Sequence, residues 1–117
     1  MKILMILNDP PYGTERVYNA MRLAMNLQKS HEHVELSVFL MGDSAWSAKS
    51  GQQTPNGYYN VERMLASVIR KGGLVRVCGT CMDTRGLVAL DLIEGAERST
   101  MEELGNLTVA ADKVIVF

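Results

Sequence analysis

The sequence predicts an α/β fold, a three-layer α/β/α sandwich on a mainly parallel sheet of four or five strands, with residues 1–117 forming a single domain. Three observations carry this expectation. Short, continuous apolar runs recur at strand length, as in strands buried on both faces. Segments with an apolar stripe at helical spacing separate them. The resulting order, βαβαβ(α)αβ, is that of parallel strands joined by crossover helices.

Ile3 to Leu7 is the first apolar run, broken by the turn-forming stretch Asn8-Asp9-Pro10-Pro11-Tyr12-Gly13. Thr14 is the expected cap of the first helix, with Glu15 in its first turn. Val17, Ala20, Met21, Ala24 and Leu27 form its apolar stripe. The second strand is expected over His33 to Met41. Asp43 or Ser44 then caps a short helix reaching about Lys49. Ser50 to Asn60, rich in glycine and polar residues, reads as an exposed, mobile loop. Asn60 caps a second helix whose apolar face is Val61, Met64, Leu65, Val68 and Ile69, stopped by Lys71-Gly72-Gly73.

Leu74 to Val77 is a β-branched third strand, and Cys78-Gly79-Thr80-Cys81-Met82-Asp83-Thr84-Arg85-Gly86 follows at once. Leu87 to Leu92 suggests a helical turn and Gly95 to Arg98 a brief extended piece. Ser99 or Thr100 caps a last helix with Glu102 and Glu103 in its first turn. Met101, Leu104, Leu107, Val109 and Ala110 supply that helix's apolar content, and Lys113 to Phe117 is the final strand.

The twelve Lys and Arg nearly balance thirteen Asp and Glu, and no basic stripe stands out, so nucleic acid is not an expected partner. No apolar run reaches the length of a membrane span. The opening run lacks a small-residue cleavage pattern, so a cytoplasmic setting is expected, with the two cysteines as thiols. Aromatics make up only 6% of the chain and there are eight methionines, a composition suited to an adaptable core or subunit interface.

Chemistry concentrates at the carboxyl end of the third strand, where open α/β sheets place their ligands. Zinc would need four ligands, and His31 and His33, the only histidines, enter the second strand at the opposite end of the sheet. No metal site and no cofactor is therefore expected. The spacing of Cys78 and Cys81 is that at which a helix start lowers the first thiol's pKa. Arg85 either stabilises a thiolate or persulfide anion or pairs with Asp83 on the surface. The Asn8–Thr14 turn lacks a phosphate-binding glycine pattern. Trp46, Tyr58 and Tyr59 read as packing or interface residues.

These residues resemble the DsrE-like sulfur-relay proteins (the DsrEFH-like fold), and among them the small YchN-type members. The resemblance runs nearly the whole length through Pro11-Tyr12-Gly13, Met21-Arg22-Leu23-Ala24, Phe39-Leu40-Met41 and Ala111-Asp112-Lys113-Val114. Its most specific part is Cys78-x-x-Cys81-x-Asp83-x-Arg85-Gly86. Relay members such as TusD and DsrE carry sulfur as a persulfide on a cysteine eight residues before the glycine of an Arg-Gly pair. Cys78 holds that position here, whereas Cys81 has a counterpart only in YchN-type members. The resemblance thus implies a persulfide carrier acting through Cys78, with Cys81, Asp83 and Arg85 beside it. It also implies a homo-oligomer, hexameric or dimer-built, and sulfur donor and acceptor proteins as partners. Two other readings stay open: a non-catalytic oligomeric binding protein, and a Cys78/Cys81 thiol–disulfide redox protein.

Overall fold

A computed structural model describes all 117 residues. Five strands, all parallel, form one sheet in the order β4-β3-β2-β1-β5. They are β1 (Lys2–Leu7), β2 (Glu35–Leu40), β3 (Leu74–Cys78), β4 (Ala96–Ser99) and β5 (Lys113–Val116). The helices are α1 (Arg16–Ser30), α2 (Val61–Arg70), the short α3 (Gly79–Asp83) and α4 (Met101–Ala110). Two 3-10 turns, Gly42–Ala48 and Ala89–Asp91, complete the order.

Crossover handedness assigns the faces. The steps β1 to β2, β2 to β3 and β3 to β4 all advance in one direction across the sheet, so right-handed connections place α1, α2 and α3 on one side. The chain then returns over the whole sheet from β4 to β5, and the same handedness puts α4 on the other side. Strand alternation divides the core accordingly. Met5, Leu7, Val38, Leu40, Val75 and Val77 pack under α1 and α2. Leu4, Phe39 and Cys78 face the opposite way and meet Leu104 of α4.

Several boundaries and caps differ from expectation. β2 begins at Glu35 rather than His33, where pairing with Lys2 of β1 starts. Glu15, not Thr14, holds the N-cap position of α1; the Thr14 hydroxyl accepts from the Arg16 amide at 3.4 Å. Neither Asp43 nor Ser44 caps the segment after β2, which is a 3-10 turn. Ser44 instead donates to the Asp9 carbonyl, joining two loops at the carboxyl edge of the sheet. On α4 only Leu104 is buried, while Met101 and Val109 are 64% and 89% exposed. Leu104 and the half-buried Leu107 make the contact with the sheet, and Met101 and Val109 lie outside it.

Ser50 to Asn60 is irregular and largely exposed, but it is anchored. The Gln52 amide group donates to the carbonyls of Ser47 and Lys49 at 3.0 and 2.9 Å and accepts from the Tyr12 hydroxyl at 2.5 Å. Asn60 caps α2 by accepting from the Arg63 amide at 3.0 Å. Tyr12, Tyr18 and Tyr58 all stack on Tyr59, which gives this low-aromatic chain one local aromatic cluster against α1. Lys113 to Val116 and the piece after Gly95 are strands, and Thr100 is the cap of α4, as the residue pattern suggests.

Candidate functional site

After β3 the chain turns through α3 toward one face of the sheet, and after β4 it enters α4 on the other. Such divergence of neighbouring connections opens a crevice at the carboxyl ends of the strands. A cavity of about 190 Å³ lies there, lined by Phe39, Cys78, Thr80, Arg98, Ser99 and Met101 among others. Cys78 is the last residue of β3, paired in register with Ser99, rather than the first residue beyond the strand. The ladder therefore holds its backbone while its sulfur faces the α4 side.

Cys78 is also the N-cap of α3, and its Sγ accepts the Cys81 amide hydrogen at 3.4 Å. The Thr80 hydroxyl lies 3.3 Å from the same sulfur. Burial opposes ionisation and is the largest single influence on this thiol. Hydrogen bonds from Cys81 and Thr80, side chain and backbone, together outweigh it and hold the Cys78 pKa below its ordinary value. The Cys81 thiol is shifted the opposite way: burial raises it, and the neighbouring Cys78 sulfur raises it further. Its Sγ accepts the Gly42 amide hydrogen at 3.1 Å. Both thiols are free, with Cys78 buried and Cys81 half-buried.

The charged residues pair differently from either expected arrangement. Arg85 forms no pair with Asp83 and makes no contact with Cys78. Its Nε and Nη2 donate to Asp43 Oδ1 at 3.0 and 2.9 Å, and its Nη1 donates to the Cys81 carbonyl at 3.1 Å. Arg85 thus clamps the turn after β2 to the end of α3, supporting the cysteine loop from behind. Asp83 pairs with Arg98 through two bonds of 2.7 and 2.9 Å. That guanidinium holds the exposed Asp83 carboxyl below its usual range. A Cβ on Gly79 would come within 2.8 Å of Arg98 Cζ, so the absence of a side chain at Gly79 lets the guanidinium lie across the loop beside Cys78.

Of the four expected site residues, Cys78 alone borders the cavity. Cys81 adjoins it from within α3, and Asp83 and Arg85 act through salt bridges at the loop's edges. Thr80, Arg98 and Gly42 were not foreseen. Arg98 sits in the anticipated extended piece, but its position beside the cysteine loop follows only from the register that places it opposite Val77. No three His, Cys, Asp or Glu side chains converge as a metal site. A larger cavity of about 360 Å³ lies at the amino ends of β1, β2 and β3, among Ile3, Leu36, Leu74 and Leu107. Its lining is mostly aliphatic and includes neither cysteine.

The DsrE/DsrF-like family model matches residues 1–117. The chain is 39% identical to Protein YchN of Escherichia coli over 116 residues, 99% of this chain and 98% of that protein. An uncharacterised protein of Methanocaldococcus jannaschii is 38% identical over 117 residues, the full length of both. The crystal structure of the E. coli YchN protein superposes with a TM-score of 0.94 at 38% identity, covering 100% of this chain and 99% of that one. A Methanobacterium thermoautotrophicum protein of unknown function shares the fold, with a TM-score of 0.78 at 15% identity over 99% of this chain and 97% of that one. Full-length matches at this identity, joined to the same five-stranded sheet, settle the relationship: the chain belongs to the DsrE/DsrF-like family.

Proposed function

We propose that this protein is a sulfur carrier in which Cys78 accepts a sulfane sulfur from a donor persulfide. The Cys78 thiolate attacks the donor's outer sulfur, the donor leaves as a thiolate, and Cys78 holds the sulfur as a persulfide. An acceptor thiolate then takes that outer sulfur and Cys78 leaves as a thiolate again. The observation that carries the reading is the Cys78 sulfur itself. It sits at the end of a fixed strand, accepts the Cys81 amide hydrogen at 3.4 Å and borders a cavity. The same hydrogen bonds would stabilise the thiolate that leaves in the second step. Membership of the DsrE/DsrF-like family supports this chemistry.

Incubation with a persulfide donor, followed by intact-mass measurement, tests the reading. A gain of one sulfur that a reductant removes is the expected result, abolished in Cys78→Ser and retained in Cys81→Ser. Unchanged mass would favour the binding reading, for which the 360 Å³ cavity at the far end of the sheet is the supporting feature. Loss of two hydrogens on donor treatment would favour simple thiol–disulfide exchange.

The proposal includes self-association and a cytoplasmic setting in which the thiols stay reduced. Val114 and Val116 of β5, in register with Leu4 and Ile6 of β1, are 42% and 62% exposed on the face that α4 leaves partly open. An apolar area of that kind is characteristic of an interface. Light scattering at micromolar concentration should give a mass above that of one 12.9 kDa chain; a monomer would remove this part of the proposal. No helix is long and apolar enough to cross a membrane.

A further inference from the structure

Cys78 is only 7% exposed and lines a 190 Å³ cavity, an opening that also admits a very small nucleophile. The cavity opens onto Cys78 but is not lined by Cys81. Arg98 lies at its wall, paired with Asp83 and within electrostatic reach of Cys78. Its Nε makes no hydrogen bond in the pair with Asp83. Behind the cavity, Cys81 faces a different donor, the Gly42 amide at 3.1 Å from its sulfur. Gly42 itself adopts a left-handed φ of +56°, a conformation that a side chain would strain. The two sulfurs thus have separate surroundings, one reachable by a small anion and one backed by a hydrogen-bond donor suited to a departing thiolate.

We infer that the oxidised Cys78–Cys81 pair accepts sulfur directly from free hydrosulfide, giving the same Cys78 persulfide without a donor protein. The inference rests on the carrier reading of Cys78 and names a second substrate for it. The Cys78–Cys81 disulfide forms first by thiol–disulfide exchange with a low-molecular-weight disulfide, which leaves as two thiols. Hydrosulfide then donates an electron pair to Cys78 Sγ from the cavity. A new sulfur–sulfur bond forms, the Cys78–Cys81 bond breaks, and its electron pair passes to Cys81 Sγ against the Gly42 N–H. The hydrosulfide sulfur is oxidised to the sulfane level and the Cys81 sulfur is reduced to a thiolate, which takes a proton from solvent. The disulfide is the oxidant, so the step balances without a cofactor.

Cys78 is the N-cap of α3 and Cys81 lies three residues on, its amide bonded to the Cys78 sulfur at 3.4 Å, which brings the two residues together. In the reduced state each thiol already lies in the other's electrostatic reach. Closing the disulfide would leave the Arg85–Asp43 clamp in place, because that pair contacts the Cys81 carbonyl and not its sulfur.

The test uses the wild-type chain in three arms. The protein is oxidised with a low-molecular-weight disulfide, desalted, and confirmed by mass to have lost two hydrogens and to carry no adduct. One equivalent of sulfide is then added, and the sites are read by alkylation and peptide mapping. The expected result is one added sulfur per chain on Cys78, with Cys81 recovered as a free thiol. Reduced protein given the same sulfide should gain nothing, since no oxidant is present. Reduced protein given a persulfide donor reports separately on the carrier reading. If the donor arm loads Cys78 while the oxidised arm stays a disulfide, returns to two thiols, or carries the sulfur on Cys81, the inference falls and the carrier reading stands. If the oxidised arm loads and the donor arm does not, hydrosulfide is the substrate and the donor-protein step falls. Loading in neither arm removes both.

Discussion

Thr80→Val is the substitution that most directly probes why Cys78 would be reactive. It keeps the shape of the side chain and removes the hydroxyl 3.3 Å from the Cys78 sulfur. A hydrogen bond to a charged group contributes about 1.5–3 kcal/mol in a buried setting. Thr80 is exposed, so water recovers part of this, and about 1 kcal/mol is a reasonable expectation. That corresponds to roughly fivefold less thiolate wherever Cys78 is mainly protonated. Only the thiolate is alkylated, so the rate rises with pH and levels off once Cys78 is ionised. Losing the hydroxyl destabilises the anion, which moves this rise to higher pH and, because a more basic thiolate is more nucleophilic, lifts the plateau slightly. Alkylation rates at Cys78, followed by peptide mapping across the pH range, give the comparison, with Thr80→Ser as the variant that restores the donor. Cys81, held above its ordinary value by burial, should react later throughout. A Thr80→Val profile superimposable on wild type, in a chain with unchanged circular dichroism, would refute the argument that this hydroxyl stabilises the thiolate.

Two further outcomes test the frame around the site. Asp83→Asn should remove part of the acid dependence of stability. Arg98 holds the Asp83 carboxyl below its usual value, so the pair's contribution is present above about pH 4 and is lost as pH falls through the lowered midpoint. Urea midpoints of wild type and variant should therefore differ at neutral pH and converge in strong acid; a constant difference would contradict the pairing. Asn60→Ala removes the α2 cap together with the 3.1 Å bond from Asn60 Nδ2 to the Gln52 carbonyl. It should cost about 1–2 kcal/mol and lower Tm by about 4–8 °C in calorimetry. An unchanged Tm would mean that the Ser50–Asn60 segment is not held by this residue.

Local signals in the chain were strong enough to determine the order of elements and the setting of the cysteines. Ile3 to Leu7 and Leu74 to Val77 are apolar without interruption because both faces of a parallel strand are covered, and that pattern survives in any register. Asn60 and Thr100 are caps because each sits before a helical stripe with its own oxygen free to accept, an arrangement made within four residues. The exit of β3 into Cys78-Gly79-Thr80-Cys81 is local in the same sense.

What depended on tertiary structure was every relation between distant segments. Arg85 had an acid two residues away and found Asp43 instead, since α3 directs Asp83 toward β4 and Arg85 toward the turn after β2. Arg98 and Gly42 became neighbours of the cysteines only through strand register and the close approach of two loops. The exposure of Val114 and Val116 follows from a single return crossover, which leaves one helix to cover a five-stranded face. Periodicity and capping act over a turn or two and can be read along the chain. Ion pairs and face coverage depend on the strand order β4-β3-β2-β1-β5, which is decided by packing the whole sheet.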